Sequence, residues 1–239
     1  MVALIPARAN SRRIPGKNMK LLAGHPLIAY TIAAAQESGV FTRILVCTDD
    51  LDVLLIAADK RDVIFREAVS DHQADIVWIT ETLKQIPRPD AFAILRPTSP
   101  FRTAEPIRRA FAQFTLPDQT ADSIRAVEPV KQHPGKMWAL ERGRLTPLLD
   151  YKRSDGVPWH SCPTQSLPTF YVQNSSLEMA WTANIETHGT IHGRKVAPFL
   201  THDYEGFSLD YPEDWERAEQ LIASGRVALP TLPVPHAAI

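Results

Sequence analysis

The chain opens with VALIPARANSRRIPGKN at residues 2–18, where a short apolar run leads directly into a basic loop. Residues 2–5 are continuously apolar and end at Pro6, which is typical of a β-strand buried on both faces. Similar apolar runs recur at residues 44–47 and 91–95. The sequence therefore predicts several short, fully buried strands.

Helical patterns separate these runs. Pro26 stands where the first-turn proline of a helix belongs, and Gly39 stands where that helix would end. Apolar residues at helical spacing also occur at residues 76–83 and 107–114. Strands that alternate with helices indicate right-handed βαβ units. We therefore expect an α/β fold with a mostly parallel sheet flanked by helices.

The alternation stops over residues 130–181, which are rich in Pro, Trp, His and Tyr. We interpret this segment as a small inserted lobe. Sheet-like alternation resumes near residues 193–199, and a last helix is predicted over about residues 211–223. One domain is thus expected over residues 1–225, followed by a Pro-rich tail at residues 226–239 that is loose or packed on a neighbour.

Charge and composition narrow the class of protein. The chain has 239 residues, and 26 Lys and Arg nearly balance 27 Asp and Glu, for a formal net charge of −1. This balance argues against nucleic-acid binding and against a membrane-surface protein, and no apolar run is long enough to span a bilayer. The two cysteines imply no disulfide framework, so a cytoplasmic location is expected.

The basic loop is the first candidate for chemistry, because ligands of open α/β sheets bind beyond the carboxyl ends of the strands. Its cationic side chains, a serine hydroxyl and exposed backbone amides can wrap a polyphosphate. The loop contains neither a G-x-G-x-x-G nor a Walker motif, which disfavours a dinucleotide dehydrogenase and a P-loop kinase. The alternative is a solvated basic loop, but its place directly after a buried strand favours phosphate binding.

The pattern I-P-A-R-x-x-S-x-R-x-P-G-K-N at residues 5–18 resembles the signature of the cytidylyltransferases that activate acidic sugars. These are the acylneuraminate (CMP-sialic acid) synthetases and their 3-deoxy-manno-octulosonate relatives. The resemblance extends over residues 2–221 and includes T-D-D at residues 48–50, L-R-P-T-S-P-F-R at 95–102 and L-D-Y-P-E-D-W-E-R-A-E at 209–219. It implies a Rossmann-like nucleotidyltransferase that forms a homodimer through the inserted lobe.

The resemblance also implies a reaction and a nucleotide site. CMP would pass from CTP to the anomeric hydroxyl of an acidic, nonulosonate-like sugar, and pyrophosphate would be released. Such a transfer needs positioning and neutralisation of phosphate charge, for which Arg8 and Lys17 are the leading candidates. The residues that the resemblance assigns to the nucleotide are Ala7 (backbone), Arg8, Ser11, Arg12, Lys17, Asn18 (ribose) and Arg66 (base).

The resemblance further implies Mg²⁺ held by an Asp-x-Asp motif. Here the two positions are Ser208 and Asp210, so one carboxylate is kept, and Glu205, Asp203 or a water molecule would supply a second ligand. The alternative is that Asp210 and Glu213 form a helix capping box. Loss of a cap would cost about 1 kcal/mol of stability. Loss of a metal ligand would lower turnover by on the order of 100-fold or more.

The sugar site departs most from the family pattern. The residues assigned to it are Arg96, Thr98, Ser99, Lys136 and Asn174. Arg96 stands where a glutamine is common in sialate-type members, and Glu178 stands where a tyrosine is usual. Arg96 would be able to bind a carboxylate through two hydrogen bonds. The alternative is that these charged residues belong to structural ion pairs.

Two other functions remain open at this stage. The first is an enzyme of the same fold that uses another nucleotide or a sugar phosphate. The second is a non-catalytic sugar-nucleotide sensor, suggested by Ser208.

The residues at the end of the second apolar run have structural roles. Asp49 and Asp50 are expected to cap the next helix, and Cys47 is expected in the core.

Overall fold

The computed structural model describes residues 1–9, 11–58, 62–65 and 74–232. The chain divides into two compact units, a larger one of Met1–Ala126 with Asn174–Ile239 and a smaller one of Val127–Gln173. The sequence placed the end of the insertion at about residue 181, whereas residues 174–181 lie in the larger unit.

The larger unit contains most of the regular elements, and the chain leaves it within β7 and returns to it within β10. In chain order the elements are β1 (Val2–Ala7), β2 (Leu21–Leu22), β3 (His25–Pro26), α1 (Leu27–Ser38), β4 (Arg43–Thr48), α2 (Leu51–Ala58), β5 (Asp62–Phe65), α3 (Asp75–Leu83), β6 (Ala91–Ile94), α4 (Ala104–Phe114), β7 (Ser123–Pro129), β8 (Trp138–Glu141), β9 (Arg144–Pro147), β10 (Tyr171–Trp181), α5 (Ala183–His188), β11 (Val196–Leu200) and α6 (Pro212–Ala223). Within the described ranges, none of the helices has the length and apolar character that a membrane span requires.

The central sheet has the strand order β11-β7-β10-β6-β1-β4-β5 in the described part of the chain. β1 pairs in parallel with β4 and β6, and β4 pairs in parallel with β5. β10 pairs antiparallel with β6. The predicted α/β fold with a mostly parallel sheet is confirmed. β10 escaped prediction because its first half is exposed and polar, so that it lacks the continuous apolar run of the other strands.

Both faces of the sheet are covered by apolar residues. Ala3 and Ile5 of β1 belong to one core cluster, together with Ile28 of α1. Val2 and Leu4 point to the opposite face, because side chains alternate along a strand, and they belong to a second cluster with Trp78 of α3. The apolar run at the start of the chain is therefore a strand buried on both sides, as predicted.

A third apolar cluster joins distant parts of the chain. Ile14 of the basic loop is buried there with Leu209 and with Trp215 of α6. Residues of the tail pack against the same cluster, namely Val227, Leu229 and Leu232. Of the two alternatives for the tail, loose or packed on a neighbour, packing is what residues 227–232 show, with this cluster of their own chain as the partner. Residues 233–239 lie outside the described residues.

Gly193, just before β11, has a backbone that no other residue would adopt without strain. Its φ is +69°, and a Cβ atom there would overlap the Cβ of Asp122. The carboxylate of Asp122 is fixed in turn, since it accepts hydrogen bonds from the backbone N–H groups of Arg194 at 2.7 Å and Lys195 at 2.8 Å. We expect Gly193→Ala to lower the free energy of unfolding by about 1–3 kcal/mol, measured by urea denaturation.

Gly225 provides the matched control for this substitution. Its φ of +66° is similar, but nothing lies within 4 Å of the position that a Cβ atom would take there. Gly225→Ala should therefore show the cost of backbone strain alone and destabilise the chain less. Equal losses for the two variants would refute the role of the Asp122 contact.

Candidate active site

The basic loop, the residues after β4 and the residues after β6 start at one edge of the sheet. Ala7 pairs with Thr48, and Leu4 pairs with Ile94, so the carboxyl ends of β1, β4 and β6 lie side by side. This edge is where open α/β sheets bind their ligands. The candidate site is therefore built from the three segments that follow these strands, and from the residues before α6 that contact them.

The basic loop is anchored at several points rather than solvated along its length. Ile14 is buried in the third apolar cluster. The side-chain amide of Asn18 donates to the carbonyl of Arg8 at 3.0 Å and closes the loop at its neck. Gly16 adopts a left-handed φ of +61°, and its carbonyl accepts from Met19 N at 2.9 Å. The loop thus has a fixed shape, which argues against a merely solvated basic segment.

Asp49 holds the beginning of this loop. Its carboxylate accepts a hydrogen bond from the backbone N–H of Ala9 at 2.8 Å. The neighbouring Asp50 caps α2, since its carboxylate accepts from Asp52 N at 3.0 Å and from Val53 N at 3.4 Å. The expectation that both aspartates cap the next helix is therefore right for Asp50 and wrong for Asp49. Spacing alone could not separate the two roles, because they depend on the approach of β1 to β4.

Lys17 lies where the loop meets the segment before α6. Its ammonium donates to the carbonyl of Leu209 at 2.8 Å. Burial lowers the pKa of Lys17; the charge of Asp210 acts in the opposite direction, and the charges of Arg13 and Arg8 lower it further. A lysine that is partly desolvated among other cations gains most from a bound anion. These surroundings suit a cation that neutralises phosphate charge.

The loop residues that the resemblance assigned to the nucleotide differ in exposure. Arg8 is half-buried, and Arg12 is exposed. Ser11 is half-buried, and its backbone N–H donates to the carbonyl of Ala9 at 3.2 Å. Arg66, the predicted base contact, lies outside the described residues.

Asp210 is not the cap of α6. The helix begins at Pro212, and the carboxylate of Asp214 accepts from the backbone N–H groups of Asp210 at 2.9 Å and Tyr211 at 2.8 Å. The alternative of an Asp210–Glu213 capping box is therefore wrong, because the cap lies one residue later. The Asp210 carboxylate is left to face the basic loop, with one oxygen 3.6 Å from the guanidinium of Arg13.

Glu205, one of the two candidates for a second metal ligand, is held by an ion pair and a backbone hydrogen bond. Its carboxylate lies 2.6 Å from the guanidinium of Arg109 and accepts from the backbone N–H of His202 at 2.9 Å. Asp203, the other candidate, is exposed. The sequence could not reveal the Arg109 contact, since the two residues lie far apart along the chain.

The donors that remain fit a magnesium ion shared with a triphosphate. Asp210 offers a carboxylate, and the buried hydroxyl of Ser208 has no hydrogen-bond partner among the described residues. In the described part of the chain, no group of three or more His, Cys, Asp or Glu side chains could hold a metal ion by itself. Mg²⁺ is commonly bound by one or two carboxylates together with substrate phosphates, so one carboxylate is sufficient here.

Arg96 follows β6 and makes ion pairs within the site. Its Nη2 lies 2.5 Å from Asp75 and 3.9 Å from Glu178. Burial opposes ionisation of Asp75, yet the contacts with Arg96 and Trp78 and the charge of Arg8 keep its pKa below the usual value. Sequence reasoning missed Asp75, because an acidic residue in the first turn of a helix is common and signals no distant partner.

Thr98 and Ser99, the next predicted sugar contacts, are held close to the residues before α6. The carbonyl of Thr98 accepts from Leu209 N at 2.8 Å, so Thr98, Leu209 and Lys17 form one connected set. The hydroxyls of Thr98 and Ser99 are buried and have no hydrogen-bond partner among the described residues. Each such group costs about 1–3 kcal/mol unless it is satisfied, which is a reason for a ligand to be recognised here.

Arg102 is a buried cation that the motif contained but that sequence reasoning did not single out. It is 1% exposed. Its guanidinium donates to the carbonyls of Ser176 and Arg96, the latter at 3.3 Å, and to the hydroxyl of Thr31 at 3.0 Å. Burial lowers the pKa of Arg102 to about 9. Arg102 thus holds the backbone at the start of the 96–99 segment through the carbonyl of Arg96.

The two other predicted sugar contacts have structural partners. Asn174, in the larger unit, donates to the hydroxyl of Thr201 at 2.9 Å. Lys136, in the smaller unit, donates to the carbonyl of His160 at 2.9 Å and to that of Cys162. The ammonium of Lys136 is thus held by backbone carbonyls of its own unit.

Comparisons with known proteins agree with this geometry. A family model described as cytidylyltransferase matches residues 2–136. The CMP-N,N'-diacetyllegionaminic acid synthase of Legionella pneumophila is 29% identical over 238 residues, which cover 96% of this chain and 99% of that protein. An N-acylneuraminate cytidylyltransferase of Streptococcus agalactiae is 31% identical over 167 residues, which cover 66% of this chain and 40% of that protein.

Solved structures share the fold. A CMP:2-keto-3-deoxy-manno-octonic acid synthetase in complex with CTP superposes with a TM-score of 0.70 at 15% identity, covering 94% of this chain and 98% of that one. A 4-diphosphocytidyl-2C-methyl-D-erythritol synthase from Anaerococcus prevotii gives a TM-score of 0.59 at 12% identity, covering 93% of this chain and 97% of that one. At these identities the likeness is one of fold.

Proposed function

The chain belongs to the cytidylyltransferase family, and from this premise we propose that it transfers CMP from CTP to the anomeric hydroxyl of an acidic, nonulosonate-like sugar. Pyrophosphate is the second product. The observation that carries the proposal is the anchored basic loop, which brings Lys17 and Arg8 together with Asp210. The similarity to a CMP-N,N'-diacetyllegionaminic acid synthase along 99% of that protein's length supports the class of acceptor.

The reaction consists of one displacement at the α-phosphorus. The anomeric oxygen of the sugar forms a bond to this phosphorus while the bond to the β-phosphate oxygen breaks. The hydroxyl passes its proton to solvent, and pyrophosphate leaves with an additional negative charge. Arg8 and Lys17 stabilise that charge from the basic loop, where the amide of Asn18 and the carboxylate of Asp49 keep the backbone in place.

Asp210 is the residue that would hold a magnesium ion in this site, with oxygens of the triphosphate as further ligands. Such an ion, when bound, draws charge from the phosphates and lowers the pKa of a coordinated hydroxyl. The position of Asp210 supports this role, since its carboxylate does not cap α6 and lies beside the cations of the loop.

The proposal is tested by the choice of nucleotide and acceptor. Release of pyrophosphate should be measured with CTP, UTP, GTP and ATP, each against a panel of acidic sugars, with magnesium present. We expect turnover with CTP and a nonulosonate acid only. Equal turnover with a purine triphosphate would contradict the base assignment.

Binding provides a second, independent measurement. A ligand at 100 times its dissociation constant stabilises the folded state by about 2.7 kcal/mol. We therefore expect CTP with magnesium to raise the melting temperature more than the other triphosphates do. If CTP binds but no acceptor supports pyrophosphate release, a non-catalytic sensor would be the better description.

We also propose that the protein is a homodimer and that a second copy covers the smaller unit. β8 and β9 form a two-stranded sheet in which Leu140 and Leu145 stand opposite each other, and these side chains are 71% and 62% exposed. Exposed apolar pairs of this kind are typical of interfaces. By resemblance to the family, the covered unit would also complete the sugar site of the other copy.

The dimer is tested by sedimentation of the full chain. We expect a dimer for the unaltered protein and a monomer for the double variant Leu140→Lys with Leu145→Lys. Leu55→Lys is the matched control, because Leu55 of α2 is similarly exposed but belongs to the larger unit. A monomeric unaltered protein at micromolar concentration would refute the proposal.

The expected location is the cytoplasm. Cys47 and Cys162 are both buried, and both are thiols rather than halves of a disulfide. Buried thiols of this kind suit a reducing compartment.

A further inference from the structure

Four charged side chains form an alternating chain across the edge of the sheet that carries the site. Arg96 lies between Asp75, at 2.5 Å, and Glu178, at 3.9 Å. Glu178 is paired in turn with Arg125 at 2.5 Å. The four residues come from α3, the segment after β6, β10 and β7, so that the network joins elements that are distant along the chain.

Each carboxylate in this network is fixed from a second side. The other oxygen of Asp75 accepts a hydrogen bond from the indole Nε1 of Trp78 at 2.8 Å, and Trp78 is a buried core residue. The second oxygen of Glu178 is the one that Arg125 contacts. Arg96 is therefore oriented by two anions that are themselves immobile.

The network has a consequence for what Arg96 is able to bind. Both contacts use Nη2, but only the contact with Asp75 is a hydrogen bond, because the 3.9 Å to Glu178 is an ion-pair distance. The Nη1 and Nε donors have no hydrogen-bond partner among the described residues, and the side chain is 28% exposed. Two positive and two negative charges also cancel within the network. Directional donors are thus available, whereas a net positive charge that would attract a carboxylate is not, because Asp75 and Glu178 lie beside the guanidinium.

The position of Arg96 is fixed relative to the nucleotide loop as well. Its carbonyl accepts from the buried Arg102. Asp75 is close enough to Arg8 for the charge of Arg8 to act on it. In the same segment, the carbonyl of Thr98 accepts from Leu209 N, and the carbonyl of Leu209 accepts from Lys17. Arg96 thus belongs to the segment that is connected to the basic loop, where an acceptor sugar must be placed for transfer.

We propose that Asp75 and Glu178 are positioning residues that hold Arg96 as a specificity-determining contact, and that Arg96 recognises a neutral oxygen of the acceptor, such as a hydroxyl or N-acyl oxygen, rather than its carboxylate. This inference rests on the proposed function. It changes the sequence-based role of Arg96, which was to bind a carboxylate through two hydrogen bonds.

The test uses Arg96→Met and Asp75→Asn with two acidic sugars that differ only in one N-acyl group. For the acylated sugar we expect KM to rise by about 10- to 100-fold in both variants, which corresponds to the loss of a hydrogen bond to a charged donor. The preference for the acylated sugar should fall toward 1. KM for CTP should stay the same or decrease, because Asp75→Asn removes a negative charge near Arg8.

Glu186→Gln is the matched control. It removes a carboxylate from an ion pair with Arg88 at 2.8 Å that is largely exposed to solvent. We expect no change in either KM for this variant. A lower acceptor KM for Asp75→Asn would overturn the inference, since Asp75 would then be competing with the acceptor's carboxylate for Arg96. An equal loss of kcat/KM for both substrates, together with a lower melting temperature, would also overturn the inference, because the network would then have only a structural role.

Failure of the proposed function would be visible separately. If the unaltered protein forms no CMP-sugar from any acid, the proposed function fails. The inference is then judged by binding alone, from the stabilisation that each acid gives in the presence of CMP. Equal stabilisation of the unaltered protein and of Arg96→Met by the acylated sugar would refute it.

Discussion

Replacing Lys17 by methionine is expected to lower kcat/KM for CTP by about 100- to 1,000-fold, the usual cost of removing one preorganised charge-stabilising donor. The ammonium is placed by its hydrogen bond to the Leu209 carbonyl at 2.8 Å, and the neighbouring Arg8 and Arg13 make it depend on an anion for full stabilisation. Steady-state rates of pyrophosphate release measure the effect. A loss of less than 10-fold would place the main phosphate contact elsewhere in the loop.

The pH dependence of kcat/KM tests whether the reaction requires the positive charge of Lys17 or only the size of its side chain. Burial lowers the pKa of Lys17, so the residue loses its proton at a lower pH than an ordinary lysine does. Because the protonated form is the one that neutralises phosphate, kcat/KM should decline as the pH rises through this lowered pKa, below 10.5. Lys17→Arg should move the decline to higher pH, since arginine stays charged.

Lys20 is the control for this prediction. Its ammonium lies over the ring of Trp215, 4.3 Å from the centroid, and is exposed at the surface of the same segment. Lys20→Met should leave kcat/KM within a few-fold of the unaltered value. A loss as large as that of Lys17→Met would show that any lost lysine disturbs the loop.

Asp210→Asn is expected to lower turnover by on the order of 100-fold or more, because it removes the carboxylate that would hold magnesium. The melting temperature should hardly change, since the Asp210 side chain does not cap α6. Asp214→Ala should behave in the opposite way. Its carboxylate accepts two backbone hydrogen bonds at the start of α6, so its loss should cost about 1 kcal/mol of stability and leave turnover largely intact.

The two variants form a matched pair four residues apart. Their kinetic constants and melting temperatures should be measured side by side, over a range of magnesium concentrations. Asp210→Asn should need more magnesium for half-maximal rate, whereas Asp214→Ala should not. A purely thermal effect of Asp210→Asn would contradict the assignment of Asp210 to the metal.

The regular part of the fold was predictable because its signal is local. The apolar runs of β1, β4 and β6 and the stop at Gly39 need no knowledge of distant residues, and the structure confirms them. β10 was not predictable, because only part of it is buried and it enters the sheet antiparallel to β6.

The site was predictable where one segment carries the chemistry and not where ion pairs cross the chain. The composition of the basic loop and its position directly after β1 were sufficient to predict it as a candidate site. The partners of Arg96 and Glu205 lie in other elements, and no spacing links Asp75 to Arg96 or Arg109 to Glu205. Asp214, and not Asp210, contributes to the cap, because α6 starts at Pro212. A sequence pattern alone does not resolve a helix start to one residue.

The burial of Ile14 links the basic loop to a part of the chain that is synthesised much later. It is buried together with Trp215 and Leu221, which the ribosome adds some 200 residues later by chain order. A nascent chain that already displays the loop but still lacks α6 has no apolar partner from that helix for Ile14. The basic loop therefore gains this anchor late, when the last helix folds back onto the segment synthesised first.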